Sequence, residues 1–487
     1  MREHRSHLSR TARLILGTVV LCSFAACGSS SNQAPGSDAG AHGGSDGGAD
    51  AGACQGPQCA FKVGNPVVIA QTSGGGAAVS AFSIALGSDG KTVAAGWTEI
   101  SGDDQVVKVA ASKNGGQSFT TPIPVDTPAD VQLASVHLVV PDGAGILAGV
   151  VARRPYDEER QDGNLAHVDP DAPWDSWGRI YQSTDGAASF KQLADLKTAT
   201  GVRTFTDEGF AASADGKTLV YAWVDVTPGE RLAVGAPPPN SVLASISTDS
   251  GKTFGAPQTV STKAFLAATR LPAFVRNGAA GVVYAQEHAL TGLPTAVGFP
   301  FIAQASAAGS FATGAQIGAD DYGALPAGVD GTVGGAAPGA AVGKDGSVHV
   351  AWWSAKALGL WVSASADGSS FATPKRVFAT AQPTPANVKL AVDGAGNTWI
   401  AAQDGPGVRV VLVPSAGEPA EVMDAALATL GNAARGYTVW AAANDTFDIA
   451  GLPGSGAVVM WLGGQPPDAS STSAPPPQPI NVRTIAP

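Results

Sequence analysis

The sequence predicts an all-β fold: a ring of four-stranded antiparallel blades, a β-propeller. Three observations carry that prediction. An eight-residue turn motif recurs along the chain, at Ser112–Phe119, Ser183–Phe190 and Ser247–Phe254, with shortened copies at Ser306–Phe311 and Ser365–Phe371. A Gly-led apolar stretch recurs seven times, starting at Gly90, Gly143, Gly216, Gly278, Gly346, Gly396 and Gly454. Glycine (62 residues) and proline (34) punctuate the whole chain, which disfavours long helices.

The N-terminus reads as an address. Arg2, Arg5, Arg10 and Arg13 precede an apolar run from Leu14 to Ala26, too short to span a bilayer as a permanent helix. That layout is a secretory signal peptide over residues 1–26. The run ends Phe24-Ala25-Ala26-Cys27-Gly28, which resembles a bacterial lipobox, with Phe24 where the motif usually has Leu. The resemblance implies acylation of Cys27, and an ordinary cleavage site is the alternative. Gly28 rather than Asp after the cysteine resembles the sorting pattern of outer-membrane lipoproteins.

Residues 27–60 form the next unit. GSSSNQAPGSDAGAHGGSDGGADAGA (28–53) has nothing to anchor a core and reads as a flexible tether. Cys54 and Cys59, in CQGPQC, predict a small-loop disulfide, since an exported chain meets oxidising conditions. The formal charge is −11, and without residues 1–26, which hold four Arg and one Glu, it stands near −14. Such a chain offers no basic stripe to nucleic acid. Its partners are therefore sought among a membrane, reached through the lipid, and a glycan or envelope protein.

Residues 61–487 form the propeller domain. The Gly-led stretches (GKTVAAGW, GKTLVYAW, GSVHVAWW and their relatives) are short, β-branched and aromatic, a strand signal. Seven copies leave about 61 residues each, room for four strands. Seven blades are predicted, with six as the alternative. The stretch from Phe61 resembles the segment that follows each octet but lacks strands before it, while the C-terminal segment lacks a fourth strand. The N-terminal strand is therefore expected to complete the last blade, which removes an open sheet edge.

The octet has the chemistry of a tight turn: a hydroxyl, an Asp or Asn that bonds following amides, a Gly that accepts positive φ, and a closing Phe. It resembles the Asp-box of the sialidase-like propellers. Ser247, Asp249, Gly251 and Phe254 match every defined position. Ser112, Asn114, Gly116 and Phe119 carry Asn for Asp, and Ser183, Asp185 and Phe190 have Ala187 where Gly belongs. The resemblance implies that the octet joins the third and fourth strands, on the face opposite the family's chemistry, so these acids are read as structural.

The opposite face holds the candidate site. Residues 153–179 carry 11 charged side chains in 27 positions, against 14% for the chain. A charged, aromatic insertion on a bland scaffold is where binding groups are expected. The ligand-binding candidates there are Arg153, Arg154, Tyr156, Trp174, Trp177 and Arg179, joined by Arg203, Arg270, Glu287 and His288 from neighbouring blades. Trp faces suit sugar rings, and arginines clamp carboxylates. Asp169, Asp171 and Asp175 lack EF-hand spacing, and no metal or cofactor is implied. A sialidase-type exo-glycosidase would need an arginine cluster, a Tyr–Glu pair and an acid/base Asp. Tyr437 and Glu421 are unframed by any motif, so catalytic residues stay unassigned and a non-catalytic binding module is the leading expectation.

Overall fold

The computed structural model describes residues 62–72, 78–101, 104–128, 131–153, 176–196, 205–226, 240–262, 271–289, 296–306, 309–318, 338–354, 359–379, 388–404, 407–417, 420–422, 446–463 and 477–486. The signal peptide, Cys27, the tether, and Cys54 and Cys59 lie outside these. Strands β1 (Lys62–Val63) and β2 (Val67–Gln71) open the described chain. Six four-stranded antiparallel blades follow. Blade one holds β3 (Ala78–Leu86), β4 (Val93–Ser101), β5 (Asp104–Ser112) and β6 (Ile123–Pro124). Blade two holds β7 (Gln132–Val139), β8 (Ile146–Arg153), β9 (Ser176–Ser183) and β10 (Lys191–Leu196). Blade three holds β11 (Phe205–Ala212), β12 (Leu219–Val226), β13 (Asn240–Ser247) and β14 (Gln258–Ser261). Blade four holds β15 (Ala273–Arg276), β16 (Ala279–Ala289), β17 (Ala296–Gln304) and β18 (Ala315–Gln316). Blade five holds β19 (Gly339–Val342), β20 (Val348–Ser354), β21 (Gly359–Ser365) and β22 (Lys375–Ala379). Blade six holds β23 (Val388–Val392), β24 (Thr398–Asp404), β25 (Gly407–Val413) and β26 (Ala420–Val422). Blade seven holds β27 (Phe447–Gly451), β28 (Ala457–Leu462) and β29 (Pro479–Ala486). Both β1 and β2 pair with β29 and supply its outer strand.

The first strands touch one another in order, and β27 returns to β3, so the ring closes. The blade count is seven, and the six-bladed alternative falls. Each Gly-led stretch becomes the second strand of a blade. Among the described residues no helix occurs.

The second strands are apolar along most of their length, with both faces buried between neighbouring blades. Val93, Ala95 and Trp97 of β4 join the core shared with blade seven, and Ala94 joins the core shared with blade two. The same logic recurs in β12, where Tyr221 and Trp223 face one core and Val220, Ala222 and Val224 the next. Trp97, Trp223 and Trp399 are fully buried. Truncating such a residue to Ala typically costs about 3–5 kcal/mol. Close approach between blades also fixes backbone chemistry. A side chain at Gly209 would collide with the Leu271 carbonyl of the next blade.

Each octet follows a third strand and leads to a fourth. In blade three the Ser247 hydroxyl donates to Asp249 Oδ1 (2.8 Å) and accepts from the Gly251 N–H (2.9 Å). Asp249 in turn accepts from the Thr253 N–H (2.9 Å) and hydroxyl (2.6 Å). Ser183 and Asp185 repeat this in blade two, Ser112 and Asn114 in blade one, and Ser365 and Asp367 in blade five. The Gly251 backbone has φ +83° and Ala187 has φ +64°. Ala187 thus keeps the left-handed turn, at a cost of roughly 1–2 kcal/mol that glycine avoids.

These turns make two predictions. Ser247→Ala leaves the buried Gly251 N–H unpaired and should lower the unfolding free energy by about 1–3 kcal/mol in chemical denaturation. Asp249 is pulled down to about 2, first by the Thr253 hydroxyl and then by the Thr253 N–H and Ser247. A depressed carboxyl stabilises the fold above its ordinary value of 3.8 and loses that contribution as pH falls toward about 2. Asp249→Asn should therefore flatten the acid limb of the stability profile in that window.

Candidate functional site

The two faces of the ring are built differently. The face carrying the octets also carries the turns between first and second strands, and these are short: six residues in the first three blades (87–92, 140–145 and 213–218), two in the fourth (277–278) and five in the last three (343–347, 393–397 and 452–456). On the opposite face the connections between second and third strands run from two residues (102–103) to 22 (154–175). Variation in length is concentrated on this loop face, where the sequence places the candidate residues.

Blade two supplies the best-defined cluster on that side. In β9, Trp177, Arg179 and Tyr181 alternate onto one face, as the two-residue period of a strand requires. Arg179 Nε donates to Asp195 Oδ1 at 2.6 Å, and Trp177 Nε1 donates to the same oxygen at 3.1 Å. The guanidinium lies 5.6 Å from the Trp177 ring centroid, within cation–π range. Arg179 Nη1 also donates to the Tyr181 hydroxyl (3.3 Å), which donates to Asp126 Oδ2 (2.7 Å) in the link from blade one. Burial alone would lower the Arg179 guanidinium, but its bonds to Asp195 and Tyr181 hold it above its ordinary value. Burial, reinforced by Asp126, pushes the Tyr181 phenol up. The cluster is a charge-assisted chain that ties β9 and β10 to the preceding blade.

Nearer the axis, the His137 ring of β7 lies 3.6 Å from the Glu208 carboxyl of β11 across blades two and three, with side chains only 8% and 7% exposed. Burial alone would raise Glu208, yet the adjacent His137 ring outweighs it and pulls the carboxyl down to about 2. In blade one, Glu99 accepts from Trp97 Nε1 (3.2 Å) and pairs with Lys108 (2.6 Å). Burial raises Asp225 at the end of β12. Among the described residues no group of three or more His, Cys, Asp or Glu could hold a metal ion.

The sequence-derived candidates thus separate. Trp177 and Arg179 are each 8% exposed, inside the blade rather than on the loop. Arg153 ends β8 opposite Ser176, and Glu287 and His288 lie near the end of β16, opposite Gly298 and Val297. Arg154, Tyr156, Trp174, Arg203 and Arg270 lie outside the described residues. Sequence reading passed over Tyr181, Asp126, Asp195, His137 and Glu208. The alternation Trp177-x-Arg179-x-Tyr181 was a usable signal for Tyr181. The others meet their partners across blades or strands, with no local mark.

No protein-family model and no curated protein matches the sequence. Among solved structures the chain is similar to a protein of unknown function from Dyadobacter fermentans DSM 18053, at 12% identity and TM-score 0.49, over 88% of this chain and 99% of that one. It is also similar to the intramolecular trans-sialidase from Ruminococcus gnavus (12%, TM-score 0.41, 86% and 97%). A third is the Trypanosoma rangeli sialidase (10%, TM-score 0.40, 84% and 54%). The seven-bladed ring rests on its own strand pairing, independent of these likenesses.

The buried pair makes a prediction of its own. His137→Ala removes one partner of the buried Glu208 carboxyl and should cost about 1–3 kcal/mol, while replacing both residues by Leu should cost less. Glu208 contributes stability above its ordinary 4.5 and loses it as pH falls toward about 2. Denaturation of the single and double variants at pH 7 and pH 3 checks both statements.

Proposed function

We propose that this chain is an envelope-anchored lipoprotein, lipidated at Cys27 and directed to the outer membrane, whose sialidase-like propeller is a non-catalytic binding module for a glycan or protein. In this reading the octets are Asp-box repeats and serve the fold. The observation that carries it is the asymmetry of the faces: first-to-second-strand turns of two to six residues on one, and connections of two to 22 residues on the other. Such a distribution suits recognition by loops on a rigid scaffold. The long charged connection at 154–175 supplies the binding groups, with Arg154, Tyr156 and Trp174 as its first candidates.

Acids and bases below that loop support binding over hydrolysis. Arg179, Asp195, Glu99, Lys108, His137 and Glu208 are engaged with one another inside the blades. Tyr181 is pushed toward the neutral phenol, the opposite of what a nucleophile needs. Glu421 sits in β26, the outermost strand of blade six. The second reading, an exo-glycosidase of sialidase type, draws on one feature, the hydrogen-bonded set of Arg179, Tyr181 and Asp126.

Glycan and peptide arrays probed with the full chain separate the two. Trp174→Ala should abolish retention while leaving the thermal midpoint unchanged. Trp177→Ala is no test of binding, because it removes a buried partner of Asp195. Release of the fluorophore from a fluorogenic sialoside, lost on Tyr181→Phe, would instead establish the glycosidase. Cys27→Ser should move the chain from the membrane to the soluble fraction.

A further inference from the structure

The position at which the chain enters the ring assigns an orientation to the anchored protein. In β29, Ile485 is opposite Ala457, the first residue of β28, and Ala457 directly follows the turn 452–456. That end of β29 therefore belongs to the octet face. Gly116, in the blade-one octet, confirms the side: a Cβ there would lie 3.9 Å from Thr484 Oγ1. Strand β1 begins at this same end, with Lys62 opposite Ala486 and Val63 opposite Ile485. Strand β2 then runs toward the loop face, where Gln71 is opposite Pro479. The chain before Lys62 thus leaves from the octet face.

We propose that the octet face is the membrane-proximal face, and that the loop face is presented away from the anchoring leaflet, to a ligand or polymer beyond it. The proposal rests on lipidation of Cys27. Residues 28–61 are Gly-, Ala-, Ser- and Asp-rich. A flexible chain of that length has a root-mean-square reach of roughly 30 Å. A nine-residue strand such as β4 rises about 30 Å. The tether's natural reach is therefore about the height of the ring. Laying the loop face on the membrane would require it to run the full height of a blade and around its edge, at a cost in chain entropy. The octet face needs no such extension. It also offers the bilayer no strong attraction of its own, since Asp89, Asp185, Asp215, Asp249 and Asp345 line its turns beside Lys91, Lys217 and Lys252. The tether alone sets the bias, which turns the loop face outward.

The test uses the full lipidated chain, reconstituted in vesicles that carry a quencher on the lipid headgroup. Single cysteines for a fluorescent label are placed at exposed octet-face positions (Lys91→Cys, Lys252→Cys) or exposed loop-face positions (Thr127→Cys, Pro477→Cys), with the unsubstituted chain as background. Quenching at Lys91 and Lys252 should exceed that at Thr127 and Pro477 by roughly twofold or more, the bias expected of a tether that leaves from the octet face with a root-mean-square reach near the ring's height. Equal quenching, or stronger quenching at Thr127 and Pro477, overturns the orientation. Flotation of Cys27→Ser with the vesicles reads the anchor separately. If that variant floats like the parent, the lipid reading itself fails. If flotation is lost and quenching is equal, only the orientation fails.

Discussion

The whole ring depends on one seam. A ring of blades closes, and its last blade gains an outer strand, only if its first and last strands meet. Here β29 receives β28 on one side and β1 and β2 on the other. The Thr72 N–H donates to the Gln478 carbonyl (2.9 Å), and the Gln478 N–H returns to the Thr72 hydroxyl (2.8 Å). These partners are 406 residues apart. Loop-closure entropy grows only with the logarithm of length, so joining them costs about 2 kcal/mol more than closing a single blade. The pairing along β1 and β2 and the burial of Ile69 and Ile480 offset that cost. Without the seam, β29 would expose an unpaired edge and the blade-seven core would open to water.

The seam is effective because each blade is an incomplete unit. A second strand such as β4 sends alternate side chains into two different cores, one per neighbour. No blade can bury both faces alone. Polar side chains reinforce the coupling where the packing is tight. The Asp448 carboxylate accepts from the Ile84 N–H across blades seven and one (2.8 Å). Asp393 accepts from Trp399 Nε1 in its own blade and from the Gly456 N–H in the next, both at 2.9 Å. Stability is thus shared around the circle, and loss at one interface is felt by the two flanking blades.

How much of this was legible in the sequence follows from the range of each interaction. The octets and Gly-led strands are local: Ser247, Asp249 and Gly251 satisfy one another within five positions, so their pattern is written in order along the chain. Closure was legible because Phe61 onward has the form of a fourth strand without the three that should precede it. The chemistry inside the blades is not local. Tyr181 meets Asp126 across 55 positions, and His137 meets Glu208 across 71, with only topology to unite them. Trp177 and Arg179 misled for a related reason. They end a run of charges that reads as solvated loop, yet Ser176 already opens β9, and a strand's two-residue period turns both side chains inward onto Asp195.

This separation has a consequence for where recognition can reside. On the octet face, side chains close their own turns, so acids such as Asp185 and Asp249 spend their lone pairs on neighbouring amides and hydroxyls. Within the blades, polar side chains engage one another: Glu99 with Lys108, Arg179 with Asp195, His137 with Glu208. Both sets are committed to holding the blades, and removing any of them weakens the scaffold before it touches a ligand. What the scaffold leaves unconstrained is the length and content of the connections above it. The wider spread of connection lengths on one face is the structural form of that division, with the conspicuous acids of the repeats committed to the scaffold.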